Sequence, residues 1–307
     1  MKYRSTRDNK EEISAAEAIK KGLCDDGGLY MPTVFPEISG QMWEKLIGAD
    51  YPERAATILS LYLPEYGYDR LLSDARAAYS DKFDGEIAPV KKLDEHLYVL
   101  ELWHGPTSAF KDMALQIMPR LLSGALSITG EQKKALILVA TSGDTGKAAL
   151  EGFRDVPQTA ISVFYPDRGV SETQKRQMQT QEGSNVNVTA IDGNFDDAQT
   201  GVKKLFADTE YRSELEEKGI FLSSANSINW GRLVPQVVYY FAAYAQLLRA
   251  GAIQVGDAVE FCVPTGNFGD ILAGYYAKRM GLPVAKLLVA SDKNNVLADF
   301  LATGTYD

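Results

Sequence analysis

The spacing of apolar and polar residues changes character about a quarter of the way along the chain. Up to about residue 85 the apolar positions recur at helical spacing, in "SAAEAIKKGL" and "YPERAATILSLYLPEYG", which predicts a mostly helical segment. Turns are predicted at "DDGGLYMP" (Asp25 to Pro32) and at Pro64 with Gly67. After "DGEIAPV" (Asp84 to Val90) short apolar runs alternate with helix-period stretches. The predicted strands are Leu97 to Leu102, Ala135 to Thr141, Thr159 to Phe164, Val186 to Ile191, Val259 to Pro264 and Val284 to Ala290. The predicted helices are Lys147 to Arg154, Ser171 to Glu182, Asp196 to Asp208, Val234 to Ala250, Ile271 to Met280 and Asn294 to Leu301. Alternation of this kind signals an α/β architecture, a mainly parallel sheet covered by helices. Ligands of such sheets bind at the carboxyl ends of the strands, in the strand-to-helix loops.

Two of those loops combine glycines with polar side chains. "ATSGDTGKAAL" (Ala140 to Leu150) joins a strand to a helix, and the amides of Gly143 and Gly146 are expected to form an anion seat with Ser142, Asp144 and Thr145 around them. A nucleotide P-loop is excluded, because only Asp144 and Thr145 separate the glycines and Ala148 follows Lys147. "VPTGNFGDILAGYY" (Val263 to Tyr276) repeats the arrangement: Gly266 and Gly269 bracket Asn267 and Phe268, and Asp270 caps or orients the turn. Its G-x-x-G spacing is not a dinucleotide fingerprint.

A third stretch, "HGPTSAFKDMA" (His104 to Ala114), places one lysine in an apolar row. Pro106 fixes the entry, Thr107 or Ser108 is expected to cap, and a helix is predicted from Ala109 to Leu122 with a kink near Pro119. Phe110, Met113, Ala114, Ile117 and Leu121 share one face, and Lys111 heads the adjoining row of Leu115, Met118 and Leu122. Asp112, Gln116 and Arg120 form the polar stripe. Either the Lys111 ammonium snorkels to solvent, or its amine points into a cleft where desolvation and the helix dipole favour the neutral, nucleophilic form. Amines of the second kind form Schiff bases with carbonyl groups.

Composition narrows the choice of partner. The 307 residues suffice for about two domains. The net charge of −9 argues against nucleic acid but leaves room for a small anion held by local groups. No apolar run reaches membrane-spanning length and the N-terminus lacks a signal-peptide core, so a cytoplasmic protein is expected. Only His96 and His104 are present, which disfavours a histidine-based zinc centre, and Cys262 is expected to be a small core residue.

Together, "HGPTSAFKD", "ATSGDTGKAAL", "NSINWGRLVPQ" (Asn226 to Gln236) and "PTGNFGD" (Pro264 to Asp270), in this order, resemble threonine synthase, a pyridoxal-phosphate enzyme of the tryptophan-synthase β-like fold type II. "YRSTRD" (Tyr3 to Asp8) and "DDGGLYMP" resemble the opening domain of that family. The resemblance implies a threonine-synthase-type N-terminal domain over residues 1–85 and a cofactor-binding region over 86–307, with a smaller α/β subdomain at about 112–220. It implies that Lys111 is the Schiff-base lysine, that Phe110 lies against the cofactor ring, and that Gly266, Asn267, Phe268, Gly269 and Asp270 hold the cofactor. Ser142, Asp144 and Thr145 would face the substrate, and Asn226, Ser227, Asn229 and Arg232 would take its phosphate. The implied reaction converts O-phospho-L-homoserine and water to L-threonine and phosphate, in a monomer or homodimer. Other readings are a serine or threonine dehydratase-like lyase of the same fold, or a non-catalytic relative. "LADFLATGTYD" (Leu297 to Asp307) resembles an internal part of the family, so uncovered apolar surface and weak cofactor retention are expected.

Overall fold

A computed structural model describes residues 1–7, 10–293 and 295–305. Asp8, Asn294, Tyr306 and Asp307, which fall within stretches read above, lie outside the described residues. The N-terminal part is helical with a small β pair: β1 (Tyr3–Ser5), α1 (Ala15–Lys21), β2 (Tyr30–Pro32), α2 (Gly40–Gly48), α3 (Tyr51–Tyr62) and α4 (Tyr68–Ala78). Capping boxes start α1 at Ser14 with Glu17 and α3 at Asp50 with Glu53. β1 and β2 pair antiparallel, an element that the helical reading of this segment overlooked because each strand has only three residues.

Next come β3 (Val90–Lys92) and β4 (Tyr98–Leu100), an antiparallel hairpin. The strand expected at Leu97 to Leu102 is therefore shorter and belongs to no parallel sheet. α5 (Asp112–Leu115) and α6 (Met118–Ile128) replace the single helix expected from Ala109. Pro119 accounts for the difference. It sits in the first turn of α6, where its missing N–H is tolerated, and a helix continuing from α5 would have needed that N–H to reach the Leu115 carbonyl.

The main sheet follows. β5 (Lys134–Ala140), α7 (Asp144–Phe153), β6 (Thr159–Pro166), α8 (Glu172–Gln179), β7 (Val186–Ile191), α9 (Phe195–Ala207), α10 (Thr209–Glu217) and β8 (Ile220–Ser223) build a four-stranded parallel sheet ordered β7-β6-β5-β8. Both faces of β5 are covered. Ile137 and Val139 join the main core, while Leu138 and Ala140 turn the other way onto Ala198 and Val202 of α9.

α11 (Trp230–Arg249) is the central helix, buried from Trp230 through Ala245, and packs on α2, α3, α5 and α12. It begins four residues before the expected start at Val234, because Asn229 caps it, and it runs through Pro235, which lacks the N–H that would reach the Gly231 carbonyl. β9 (Val259–Pro264), α12 (Gly269–Arg279), β10 (Val284–Ala290) and α13 (Val296–Thr303) complete the described chain, with β9 and β10 paired in parallel. One face of this pair is uncovered among the described residues. Cys262 is exposed there rather than in the core, and Leu288, Phe300 and Leu301 are exposed too.

Candidate active site

The three motif loops and the Asn226–Arg232 stretch meet at the carboxyl ends of β5 and β9. Lys111 is the residue just before α5, and its Nζ donates to Asp144 Oδ2 at 2.8 Å. Its ammonium lies 4.5 Å from the centre of the Phe110 ring. The structure thus sets the amine against a carboxylate, a partner that neither sequence reading of Lys111 named. α5 has only four residues, too few for a strong dipole.

Asp112, expected on a solvated stripe, is fully buried and Gln116 nearly so. The Asp112 carboxylate accepts from the Thr107 amide at 2.8 Å, the Thr107 hydroxyl at 2.9 Å and Gln116 Nε2 at 3.2 Å. Burial raises its carboxyl above the usual range, against those hydrogen bonds. This side chain, and not Thr107 or Ser108 as a cap, closes the loop that carries Lys111. Ser108 adopts φ 55, a left-handed conformation that costs a non-glycine residue about 1 kcal/mol or more. A Cβ on Gly105 would lie 2.5 Å from Asp112 Cβ, so glycine is needed where the loop crosses it.

The Ser142–Gly146 loop differs from expectation in one respect. The amides of Gly143 and Gly146 do not face a ligand; they donate to Thr141 Oγ1 at 3.0 and 2.9 Å. Gly143 has φ 155, a backbone conformation that strains any larger residue, and it packs on the end of the Gln174 side chain. The anionic group at this loop is the protein's own Asp144. Replacing Thr141 by valine leaves the Gly143 amide unpaired and the Gly146 amide with only its 3.2 Å bond to the Gly143 carbonyl, and is expected to cost about 1–3 kcal/mol of stability, measurable by denaturant unfolding.

Asp144 leads to Arg232. This guanidinium is buried, donates to the Ala225 carbonyl at 3.0 Å, and keeps its Nε without a hydrogen-bond partner. Burial pulls it down to about 10, and the nearby charge of Asp144 opposes that shift. An unpaired donor of a buried cation is suited to an anion. Asn229 serves differently. Its Nδ2 donates to the Ile19 and Ser224 carbonyls at 3.0 Å each and its Oδ1 accepts from the Gly231 amide at 2.8 Å, so it caps α11 with no donor left over.

The glycine turn starts α12. Phe268 takes φ 60 and ψ −1, and a Cβ added at Gly266 would meet nothing within 4 Å. Gly269 faces Ser227, bringing the two loops together. Asn267, Phe268 and Ser227 line a cleft of about 240 Å³ with Tyr30 and Met31 of β2, so the N-terminal part forms one of its walls. A larger cleft of about 530 Å³, between the β3–β4 hairpin and the end of α11, holds none of these residues.

Residues 2–79 match the family described as "Threonine synthase N terminus", and residues 86–307 match "Pyridoxal-phosphate dependent enzyme". The threonine synthase of Escherichia coli superposes with a TM-score of 0.86 at 38% identity, over 100% of this chain and 68% of that one. The chain belongs to the threonine synthase family. The pyridoxal-phosphate-bound threonine synthase of Brucella melitensis superposes with a TM-score of 0.90 at 42% identity, over 100% of this chain and 64% of that one. A human protein named threonine synthase-like 1 is 43% identical over 98% of this chain, which spans 42% of that relative's length.

The side chains of this threonine synthase relative fit the cofactor of its family. A single half-buried amine stands beside an aromatic ring, and the space beside Gly266 is open. The sequence reading missed Thr141, the buried role of Asp112, and Tyr239 with Tyr240, which hold Asp270. A threonine ending a strand before a glycine turn was the one available signal, for Thr141. Among the described residues no helix is long and apolar enough to cross a membrane, and no group of His, Cys, Asp and Glu is arranged to hold a metal.

Proposed function

We propose that the chain converts O-phospho-L-homoserine and water to L-threonine and phosphate. The observation that carries this reading is the convergence of a single amine, Lys111, with Asp144 at 2.8 Å and with a buried guanidinium, Arg232, that keeps a donor unpaired. Bound pyridoxal phosphate supplies an aldehyde that captures amines and a ring that stores the electrons released at the α carbon. Gly266, Asn267, Phe268 and Gly269 would hold its phosphate, with Asp270 fastening the turn behind them, and Phe110 would pack on its ring.

Lys111 then carries protons at the α and β carbons of the substrate, with Asp144 keeping the amine in place. Ser142 and Thr145 present hydroxyls to the substrate at the same loop. Arg232, with Asn226 and Ser227, grips the substrate phosphate and neutralises charge as the C–O bond breaks. Asn229 acts through α11, by fixing the helix start from which Arg232 extends. The setting proposed is a cytoplasmic one, with a small-molecule substrate and a monomer or homodimer.

A second reading has one observation behind it, the similarity to threonine synthase-like 1, whose name stops short of the activity. It makes the chain a dehydratase-like lyase of the same fold, or a relative without catalysis. Purified chain with pyridoxal phosphate separates the readings. Equal amounts of phosphate and threonine formed from O-phosphohomoserine are expected. Keto acid formed from threonine or serine, with no threonine made, would replace the first reading by the second.

A further inference from the structure

Asp270 is the second residue of α12, one position beyond the Gly266–Gly269 turn. A carboxylate there occupies the positive end of an eleven-residue helix, the same end that an anion on the turn would use. Its Oδ1 accepts from the Tyr239 hydroxyl at 2.5 Å and the Tyr240 hydroxyl at 2.8 Å, and the Tyr240 hydroxyl also lies 3.0 Å from the Asp270 carbonyl. Both tyrosines belong to α11, the helix whose first turn carries Arg232. A Cβ on Gly274, one turn further along α12, would come within 2.8 Å of the Tyr240 ring, so the two helices are in close contact here. Asp270 is thus fastened on one oxygen and cannot swing away from an anion arriving at the turn.

We propose that Asp270 is a proton-coupled positioning residue: it bolts α12 to α11 and takes up a proton when a phosphate settles on the Gly266–Gly269 turn, so that retention of the phosphate weakens as pH rises. The proposal rests on the reading of that turn as the cofactor's phosphate seat. The titratable and charged groups facing Asp270 are Lys111 from the loop before α5 and Tyr239 and Tyr240 from α11. Burial already raises the Asp270 carboxyl, while the tyrosine hydroxyls and Lys111 oppose that rise. A neighbouring phosphate raises it further, because two like charges at one helix start repel. Binding is therefore accompanied by proton uptake in the window between the free and bound values. Across that window affinity for the phosphate falls with rising pH, by up to about tenfold per pH unit.

The test compares pyridoxal phosphate with pyridoxal, which has the same ring and aldehyde but no phosphate. Affinities of both are measured by equilibrium dialysis in steps from about pH 5 to about pH 9, and comparison with Asp270→Asn removes the titration of the cofactor's own phosphate, whose second pKa is about 6. With rising pH the ratio of the two affinities is expected to fall more steeply in the unaltered chain, by up to about tenfold per pH unit, than in Asp270→Asn, whose carboxamide oxygen still accepts from the tyrosines. Tyr240→Phe, which removes one hydrogen bond to the carboxylate, is expected to move the fall to higher pH. The same pH dependence in the unaltered chain and Asp270→Asn overturns the proposal. If Asp270→Asn does not fold, an unmoved profile in Tyr240→Phe overturns it. A ratio near one at every pH in the unaltered chain refutes instead the phosphate seat itself.

Discussion

Replacing Lys111 by alanine is expected to lower threonine formation at least about 10³-fold while leaving the protein folded. The two halves of this expectation come from different features. The activity loss follows because Lys111 Nζ is the amine that the Asp144 carboxylate and the Phe110 ring surround. Little stability should be lost, because Asp144 is 45% exposed and an ion pair of that kind contributes about 1 kcal/mol or less. Lys111→Arg sharpens the test. It keeps the positive charge and can keep the pair with Asp144, yet it cannot form the covalent bond, so it should be as inactive as the alanine variant. Steady-state assays with thermal unfolding of both variants decide the matter. Substantial activity in Lys111→Arg would mean that the charge matters and the amine does not.

The second large effect is structural. Gly152 of α7 packs directly on α5, where an added Cβ would come within 2.0 Å of the Leu115 carbonyl oxygen. That carbonyl is the one left without a helical partner by Pro119. α7 carries Asp144 at its start, and α5 follows Lys111 directly. Gly152→Ala must push the two helices apart, which is expected to cost about 3 kcal/mol or more in unfolding free energy. It should also loosen the Lys111–Asp144 pair and lower activity, although neither residue has been changed. Unfolding by denaturant with an activity assay on the folded protein tests this. An unchanged midpoint would show that the helix contact is not as tight as the geometry makes it.

The sheet was legible in the sequence because β5 carries a continuous apolar run, as a strand buried on both faces must, and β6 is broken only by Ser162. α10 and β8 were not. α10 is polar almost all round, and β8 has only four residues. The break between α5 and α6 went unread because a proline can either kink one helix or open a second, and local pattern does not separate the two.

At the site, Lys111 stood out as the one charge in an apolar row, and the glycine turns stood out by composition. Their partners did not. Asp112 looked like a solvent-facing residue at helical spacing, and its burial depends on the loop at Thr107 folding back over it. The pairing of Asp270 with Tyr239 and Tyr240 spans some thirty residues and requires α12 to lie against α11, which only the assembled fold determines. The Gly143 and Gly146 amides were read as an anion seat because glycine amides are accessible in isolation; the Thr141 hydroxyl takes them first.

The central claim is that the four motif stretches converge so that Lys111 is the reacting amine of a pyridoxal-phosphate site. Reduction of the cofactor-loaded protein with borohydride, followed by peptide mapping, tests it most directly. A single pyridoxyl group on the peptide that contains Lys111 is expected. A label on another lysine, such as the half-buried Lys147 of α7, or no label at all, would contradict it.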